Sequence, residues 1–310
     1  MSRFRFGNTL PAQFAEQGDL LGPLRDLVGL TGSRTWVGSG FNMIWRPNYG
    51  GQSGSKTHFL QLMFMDEQLS FEDFTGTGVV NRGFLQNDIV MGGIDYRIDA
   101  IDGYDGSGQH HETGQWLNVP QTSNPAVGPS LVRQCNVPHG TVPRMQGVAT
   151  ELARPVFPVL STSPFPFGQP GNPISFLEQD LSKPSTSRSD LVRVATLDQA
   201  HLDDPNLFLA DATICQTITH TTQLTVATDD SVLASSVGEP DNITFLHGVG
   251  SPPTGGPNGE TQLTHATFWI EDVQGVDGPR KQLQYSQMVL LHFNDILWPH
   301  ATVATLAPIG

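Results

Sequence analysis

The sequence has few charged residues and no long apolar run. Only 15% of its 310 residues are charged, and the formal net charge is −14, because 30 acidic residues outnumber 16 lysines and arginines. Such a chain lacks the basic face that binds nucleic acids or anionic membrane surfaces, so neither is expected as a partner. No run of about 18 apolar residues is present, which predicts no membrane insertion.

Cysteine is also scarce. Cys135 and Cys215 are the only two, and no C-x-x-C pattern occurs. Two thiols in a chain of this length do not form a disulfide framework, so we expect both to be buried and free. The first seven residues lack the apolar core of a signal peptide, which predicts a cytoplasmic protein. The oligomeric state is left open between a monomer and a homodimer.

Glycine and proline are abundant, with 33 and 23 copies. Together with the low charge density they are typical of many strands joined by turns. Apolar and polar residues alternate in many segments, among them 58–65, 112–119 and 282–293. We therefore predict an all-β fold, an antiparallel β-barrel of ten or more strands, with residues 1–310 in a single domain. Closure of the barrel removes exposed strand edges and leaves an interior for a ligand.

Two segments depart from the strand pattern. Residues 8–30 carry an interrupted helical spacing of apolar residues, which predicts a short N-terminal helical segment covering one end of the barrel. Residues 153–206 contain eight prolines, which exclude central strands. Phenylalanines such as Phe157 and Phe176 favour a packed lid, expected over one barrel mouth, and not a disordered linker.

His300 stands near the C-terminus in a segment that alternates along a strand. If its side chain points into the barrel, Thr302, Ala304 and Leu306 point inward as well. Small and apolar residues there leave room for a porphyrin, and one histidine in an apolar slot suits an axial haem ligand. The alternative interpretation is that His300 only ends a strand.

Several motifs occur in a characteristic order. They are an opening with Trp36, Gly38 and Gly40, a strand with His110, Glu112, Gly114 and Trp116, later glycines at Gly140 and Gly147, and the final His300 and Leu306. In that order they resemble the nitrobindin family, small β-barrels that bind haem. The resemblance covers chiefly residues 30–150 and 262–306. The chain is about twice the family's usual length, and residues 41–47 replace the family's tyrosine-proline segment.

The resemblance implies haem b with His300 as its proximal ligand and the residue that binds the iron. It places Trp36, Gly38, Gly40, Thr302 and Ala304 at the cofactor, and His139, His110 and Glu112 as candidate catalytic residues. Family activity includes nitric oxide binding and conversion of peroxynitrite to nitrate. The implied function is haem carriage, sensing, or chemistry on peroxide or reactive nitrogen species; whether the protein is an enzyme of peroxidase or isomerase type stays open.

Two other interpretations remain open. His110, Glu112 and His139 are candidates for a cupin-like mononuclear metal site, although their spacing departs from the cupin motif. Alternatively, His110 and Glu112 pair with Arg97 or Arg133 inside a polar end of the barrel. The barrel as a whole could also be a cofactor-free, lipocalin-like protein that binds or isomerises a hydrophobic small molecule.

Overall fold

Ten antiparallel strands close into one barrel in the computed structural model, which describes residues 19–49, 56–75, 79–138, 140–234, 236, 238–251, 255–275 and 278–309. The barrel strands are β1 (Ser33–Pro47), β2 (His58–Asp73), β3 (Ile89–Asp102), β4 (Gly108–Val119), β5 (Ser130–Asn136), β6 (Thr141–Leu152), β7 (Thr217–Ala227), β8 (Glu260–Gly275), β9 (Gly278–Phe293) and β10 (Ile296–Ile309). Each strand pairs with the next along the chain, and β10 pairs back with β1. The predicted all-β barrel is confirmed.

The remaining elements are short. The helices are α1 (Arg25–Val28), α2 (Gln199–Asp203), α3 (Asn206–Thr213) and α4 (Thr244–His247), with 3-10 turns at Gly22–Leu24, Leu177–Gln179 and Leu191–Val194. Small strands lie at Val79–Asn81, Thr122–Ser123, Ala126–Val127, Phe165–Pro166 and Pro240–Asn242. Within the described ranges, none of the helices is long and apolar enough to cross a membrane.

One half of the barrel interior is a packed apolar core. Leu24 and Leu27 from the N-terminal turn and helix are fully buried in it, together with Trp36 of β1. The indole Nε1 of Trp36 donates a hydrogen bond to the carbonyl oxygen of Leu27 at 3.0 Å. The predicted N-terminal helical segment is thus confirmed from residue 22 onward, whereas residues 8–18 lie outside the described part of the chain.

Residues 153–206 cover the outer wall of the barrel and not its mouth. Trp45 of β1 and Trp298 of β10 are fully buried in an apolar cluster that includes Val194 and Leu202 of this segment. The Trp45 indole donates to the carbonyl oxygen of Thr162 at 3.3 Å, and the ring of Phe176 stacks on Trp298 with centroids 5.1 Å apart. The expected position over a mouth is therefore corrected. The reason is that β1 and β10 are apolar on their outer faces and need a cover there.

Arg188 holds a turn of this outer cover in place. Its side chain is buried, and its guanidinium donates to the carbonyl oxygens of Glu178, Asp180 and Lys183, each at 2.8 Å. Because Arg188→Ala leaves these carbonyls without their donor, we expect the cover to loosen locally by about 2 kcal/mol. Chymotryptic cleavage after Phe176 and Leu181 should then become at least about tenfold faster.

The matched control is Arg154→Ala, which removes an exposed arginine from the same segment. Its cleavage rate should equal that of the unmodified protein. Equal protease resistance of Arg188→Ala would contradict the role assigned to these three hydrogen bonds.

Candidate functional site

The other half of the barrel interior contains two adjoining cavities. The inner cavity has a volume of about 230 Å³ and the outer one about 350 Å³. Five residues line both: Ile44, His110, Glu112, Gln287 and His300. Because strand side chains alternate between faces, these residues all belong to the inward-facing rows of their strands. The cavities therefore form one site that opens toward one end of the barrel.

The mouth of the outer cavity is covered by α4 and a neighbouring loop. Phe245 and Leu246 of α4 line it, with Asn258 and Gly259 from the loop before β8. The amide of Asn258 donates to the carbonyl oxygen of Phe245 at 2.8 Å, which ties the loop to the helix. No described residue between 153 and 206 lines either cavity. The segment predicted as the lid and the segment at the mouth are thus different parts of the chain.

His300 lies inside the barrel on β10, with Thr302 beside it in the same inward row. The Oδ1 atom of Asn42 lies 2.8 Å from His300 Nε2 and 2.8 Å from Thr302 Oγ1. An amide oxygen only accepts hydrogen bonds, so His300 carries its proton on Nε2 and the hydroxyl of Thr302 also donates. This pairing fixes the tautomer and orientation of the imidazole.

Four other residues that the resemblance places at a cofactor lie in the packed half. Trp36 is fully buried and Ala304 is 1% exposed within the apolar core. A Cβ added at Gly38 or Gly40 would lie 2.1 or 2.2 Å from a backbone oxygen of β10. The two glycines therefore permit close approach of β1 and β10, and none of the four lines the inner or the outer cavity.

His110 and Glu112 belong to a buried polar network. Glu112 is 1% exposed, and its carboxylate accepts from Arg133 at 2.7 Å, from the Tyr96 hydroxyl, and from His110 Nε2 at 3.2 Å. Arg133 also donates to Gln287 Oε1 at 2.7 Å. Burial by itself would raise the pKa of Glu112, but the Arg133 charge and the His110 hydrogen bond outweigh it and hold that pKa below its ordinary range.

Of the two arginines considered as partners of His110 and Glu112, Arg133 is the one that belongs to this network. Glu112 pairs with Arg133, whereas Arg97 pairs with Asp99 at 2.5 Å. Across the described residues, no three His, Cys, Asp or Glu side chains come together to hold a metal ion. His139, the third candidate for a cupin-like site, lies outside the described residues, so its suggested role stays a prediction.

Sequence reasoning missed a second buried carboxyl, Glu67. It is 4% exposed on β2, and the hydroxyl of Tyr285 on β9 donates to both of its oxygens, at 2.9 and 2.7 Å. Burial raises the pKa of Glu67 to about 7, and the Tyr285 hydrogen bond lowers it by less. The sequence feature that could have predicted this buried carboxyl is an acidic residue in the inward row of β2, between Met65 and Leu69.

The cysteines differ from each other. Cys135 is buried beside Tyr96 and Glu112, and burial raises the pKa of its thiol. Cys215 is exposed, so the expectation that both thiols are buried is wrong for this residue. It lies just after α3, where the chain turns along the surface into β7. A protonated thiol at Cys135 does not provide a nucleophile at neutral pH.

Comparison with known proteins gives little further information. No protein-family model matches the sequence, and a search of curated proteins finds no match. Among solved structures, a similar chain is described as "Crystal Structure of Rv2717c from M. tuberculosis". The two chains are 12% identical with a TM-score of 0.39, and the alignment covers 94% of this chain and 99% of that one. No functional conclusion follows from similarity of this size.

Proposed function

We propose that the protein binds haem b in the open half of the barrel, with His300 as the axial ligand of the iron. The observation that carries this proposal is the position of His300, which lines both cavities while Asn42 holds its ring in one tautomer. Haem needs a single neutral imidazole from the protein, so the lack of a three-residue metal cluster among the described residues does not conflict with it.

The donor chemistry of His300 fits an iron ligand. With Nε2 protonated and donating to Asn42, the lone pair of the neutral ring is on Nδ1. Metal-binding histidines usually donate their other ring N–H to an oxygen acceptor, which fixes the tautomer and strengthens the ligand. Asn42 supplies that acceptor here, since its Oδ1 lies 2.8 Å from the imidazole.

The apolar walls of the outer cavity support this proposal. Ile44, Val289 and Leu291 line the outer cavity beside His300, and Phe245 and Leu246 line it at the mouth. Such a lining excludes water from the face of a porphyrin, while polar groups at the inner end stay available for a second, smaller ligand. When bound, haem would supply an iron centre that binds diatomic gases or peroxide.

His110 is the residue best placed to move a proton in this cavity. It lines both cavities, and its Nε2 lies 3.2 Å from the carboxylate of Glu112. The carboxylate accepts a hydrogen bond from the Nε2–H group and would stabilise positive charge on the imidazole ring. His110 would therefore hold or deliver a proton for peroxide or reactive nitrogen chemistry, with Glu112 orienting its ring.

The test is haem binding by His300→Ala. Loss of an outer partner of a metal ligand lowers affinity by about 10–100-fold, so loss of the ligand itself should lower it by at least about a hundredfold. Asn42→Ala should give an intermediate loss. Optical titration of the purified chain with haemin measures each affinity from the Soret band. Acid should release the cofactor from the unmodified protein, because protonation of the ring removes the lone pair.

His111→Ala is the matched control. His111 is on the same strand as His110, but it is partly exposed on the outer face, where it contacts Asp99 at 2.7 Å. This variant should bind haem like the unmodified protein. If His300→Ala retains a normal haem spectrum while His110→Ala loses it, the ligand assignment is wrong.

The second candidate function is cofactor-free binding or isomerisation of a hydrophobic small molecule. It is favoured by the mainly apolar lining and by the size of the outer cavity, about 350 Å³, which lies within the range of ligand pockets. A protein that binds an apolar dye inside the barrel but gives no Soret band with haemin would support this function over the first.

A further inference from the structure

Two hydroxyl groups on the wall of the outer cavity have no hydrogen-bond partner among the described residues. They belong to Thr264 of β8 and Thr141 of β6, and both oxygen atoms are buried. The whole of Thr264 is only 2% exposed. A buried hydroxyl without a partner has lost its hydrogen bonds to water and costs free energy, so such groups are rare in folded proteins. On the wall of a cavity, they are suited to bind a polar atom of a ligand.

The backbone of Thr264 is bonded on both sides, which leaves only its hydroxyl. Its N–H donates to Oγ1 of Thr228 at 3.0 Å, and its carbonyl oxygen accepts from the N–H of Thr228 at 2.9 Å. Along β8, Thr264 alternates with Ala266 and Phe268, which are buried in the apolar core of the barrel. Because alternate residues of a strand share a face, the side chain of Thr264 lies toward the barrel interior.

Thr264 and His300 lie in one row across three strands. Thr264 is directly opposite Val289 of β9, and Val289 is directly opposite His300 of β10. All three residues line the outer cavity. Neighbouring strands are about 4.8 Å apart, so the backbones of Thr264 and His300 are separated by about 10 Å. A ligand that lies over Val289 can therefore contact the hydroxyl at one end and the imidazole at the other.

Thr141 belongs to the same wall but is further from His300. The short strand Pro240–Asn242 pairs with β6 at Thr141, and the side chain of Asn242 exchanges two hydrogen bonds with the backbone of Thr261 on β8, at 3.0 and 2.9 Å. This strand therefore joins β6 to β8 near the cavity mouth. Thr264 is two strands from His300 and Thr141 is four, so Thr264 is the hydroxyl better placed for a ligand that also contacts His300.

The surroundings of the Thr264 hydroxyl favour an uncharged oxygen. Val289 lies beside it, and Val137 and Leu291 line the same cavity. Burial of a carboxylate needs an ionic partner or several hydrogen bonds, whereas a ketone oxygen needs only a donor such as a hydroxyl. This part of the cavity is complementary to a molecule with an apolar body and a carbonyl oxygen.

We propose that Thr264 is the polar binding residue of the outer cavity, and that its hydroxyl donates a hydrogen bond to an uncharged carbonyl oxygen on an apolar ligand. This inference rests on the proposal that the cavity takes up an apolar ligand, and it names the group of the ligand that Thr264 binds. The subsite does not depend on iron. Its test can therefore be separated from the test of haem binding.

The test compares two ligands in two proteins. The ligands are 2-acetylnaphthalene and 2-isopropylnaphthalene, in which a methyl group replaces the carbonyl oxygen. Thr264→Val removes the hydroxyl and keeps the branched shape of the side chain. It should lower the ratio of ketone to hydrocarbon affinity at least about fivefold, since one hydrogen bond contributes about that factor. NMR titration measures both affinities, and shifts of the Val289 methyl signals should place the ligands beside Thr264.

Stability in the absence of ligand gives a second readout. Thr264→Val removes a buried polar atom that has no partner among the described residues, so it should unfold at the same or a higher urea concentration than the unmodified protein. A hydroxyl with a structural role predicts the opposite change. Thr264→Ser, which keeps the hydroxyl, should keep the ratio of the two affinities.

The matched control is Thr267→Val, the same substitution on the outer face of β8, where the Thr267 hydroxyl lies 3.4 Å from that of Thr225. It should keep the ratio of affinities. The inference is overturned if the unmodified protein binds neither ligand, if the ligands bind without shifting the Val289 signals, if Thr264→Val keeps the ratio, or if that variant unfolds at a lower urea concentration.

Titration with haemin separates this inference from the proposed function. If Thr264→Val lowers the ratio but haemin gives no Soret band with the unmodified protein, haem binding fails and the hydroxyl subsite stands. If haem binds but the ratio is the same in both proteins, haem binding stands and the hydroxyl subsite fails.

Discussion

Arg133→Leu should lower the free energy of unfolding by about 3–5 kcal/mol, because removing one partner of a buried ion pair leaves the other charge uncompensated. Arg133 and Glu112 are each 1% exposed and 2.7 Å apart. The variant also deprives Tyr96 and Gln287 of hydrogen bonds from the guanidinium. Urea unfolding followed by tryptophan fluorescence measures the change.

Two further variants distinguish the effect of losing the buried ion pair from the effect of losing an arginine side chain. Glu112→Leu combined with Arg133→Leu should recover much of the stability, because two apolar side chains leave no buried charge. Arg97→Leu, which breaks an exposed pair with Asp99, should change stability little. If Arg133→Leu and Arg97→Leu are equally mild, Glu112 is not a buried charge and the description of the network is wrong.

The native protein should lose about 3 kcal/mol of unfolding free energy through Glu67 as the pH rises, and Glu67→Gln should abolish this loss. Burial raises the pKa of Glu67 from 4.5 to about 7, so the native state binds a proton more tightly than the unfolded chain does. The stability from this group is fully present below the unfolded pKa and is lost as the pH rises through the native value. The uncharged glutamine does not titrate.

The measurement is the difference in unfolding free energy between Glu67→Gln and the unmodified protein, from about pH 4 to about pH 8. The difference should move in favour of the variant by about 3 kcal/mol over that range. Glu271, whose pKa burial also raises to about 7, is present in both proteins and cancels. Glu72→Gln, on an exposed position of β2, should show no such trend. A difference that does not vary with pH would contradict the assignment.

The barrel could be predicted because its strands have one strong local signal. Alternation of apolar and polar residues marks strands such as β2 and β4, and a closed sheet is the simplest way to bury so many inward rows. The same alternation predicted that His300 and Thr302 share a face, as they do. Pairing of Glu112 with Arg133 was one of two alternatives, since both stand in inward rows of adjacent strands.

The features that could not be predicted from the sequence depend on contacts between distant segments of the chain. Glu67 and Tyr285 are 218 residues apart and meet only because the barrel closes. The position of residues 153–206 could not be predicted from their prolines, because prolines indicate irregular structure without showing what it packs on. The residues that predict the position are Phe41, Met43 and Trp45, which make the outer face of β1 apolar as well. Asn258 and Gly259 end a proline- and glycine-rich stretch of sequence that is typical of a surface turn, and nothing local shows that these two residues line the cavity mouth.

Haem binding through His300 is tested most directly by replacing the ligand with a free one. His300→Gly leaves space for an imidazole molecule beside Asn42. We expect this variant to bind haem weakly, added imidazole to restore the affinity and spectrum of the unmodified protein, and His111→Gly to show neither effect. Unchanged haem binding by His300→Gly without imidazole, or no haem binding by the unmodified protein, would contradict the proposal that His300 binds the haem iron.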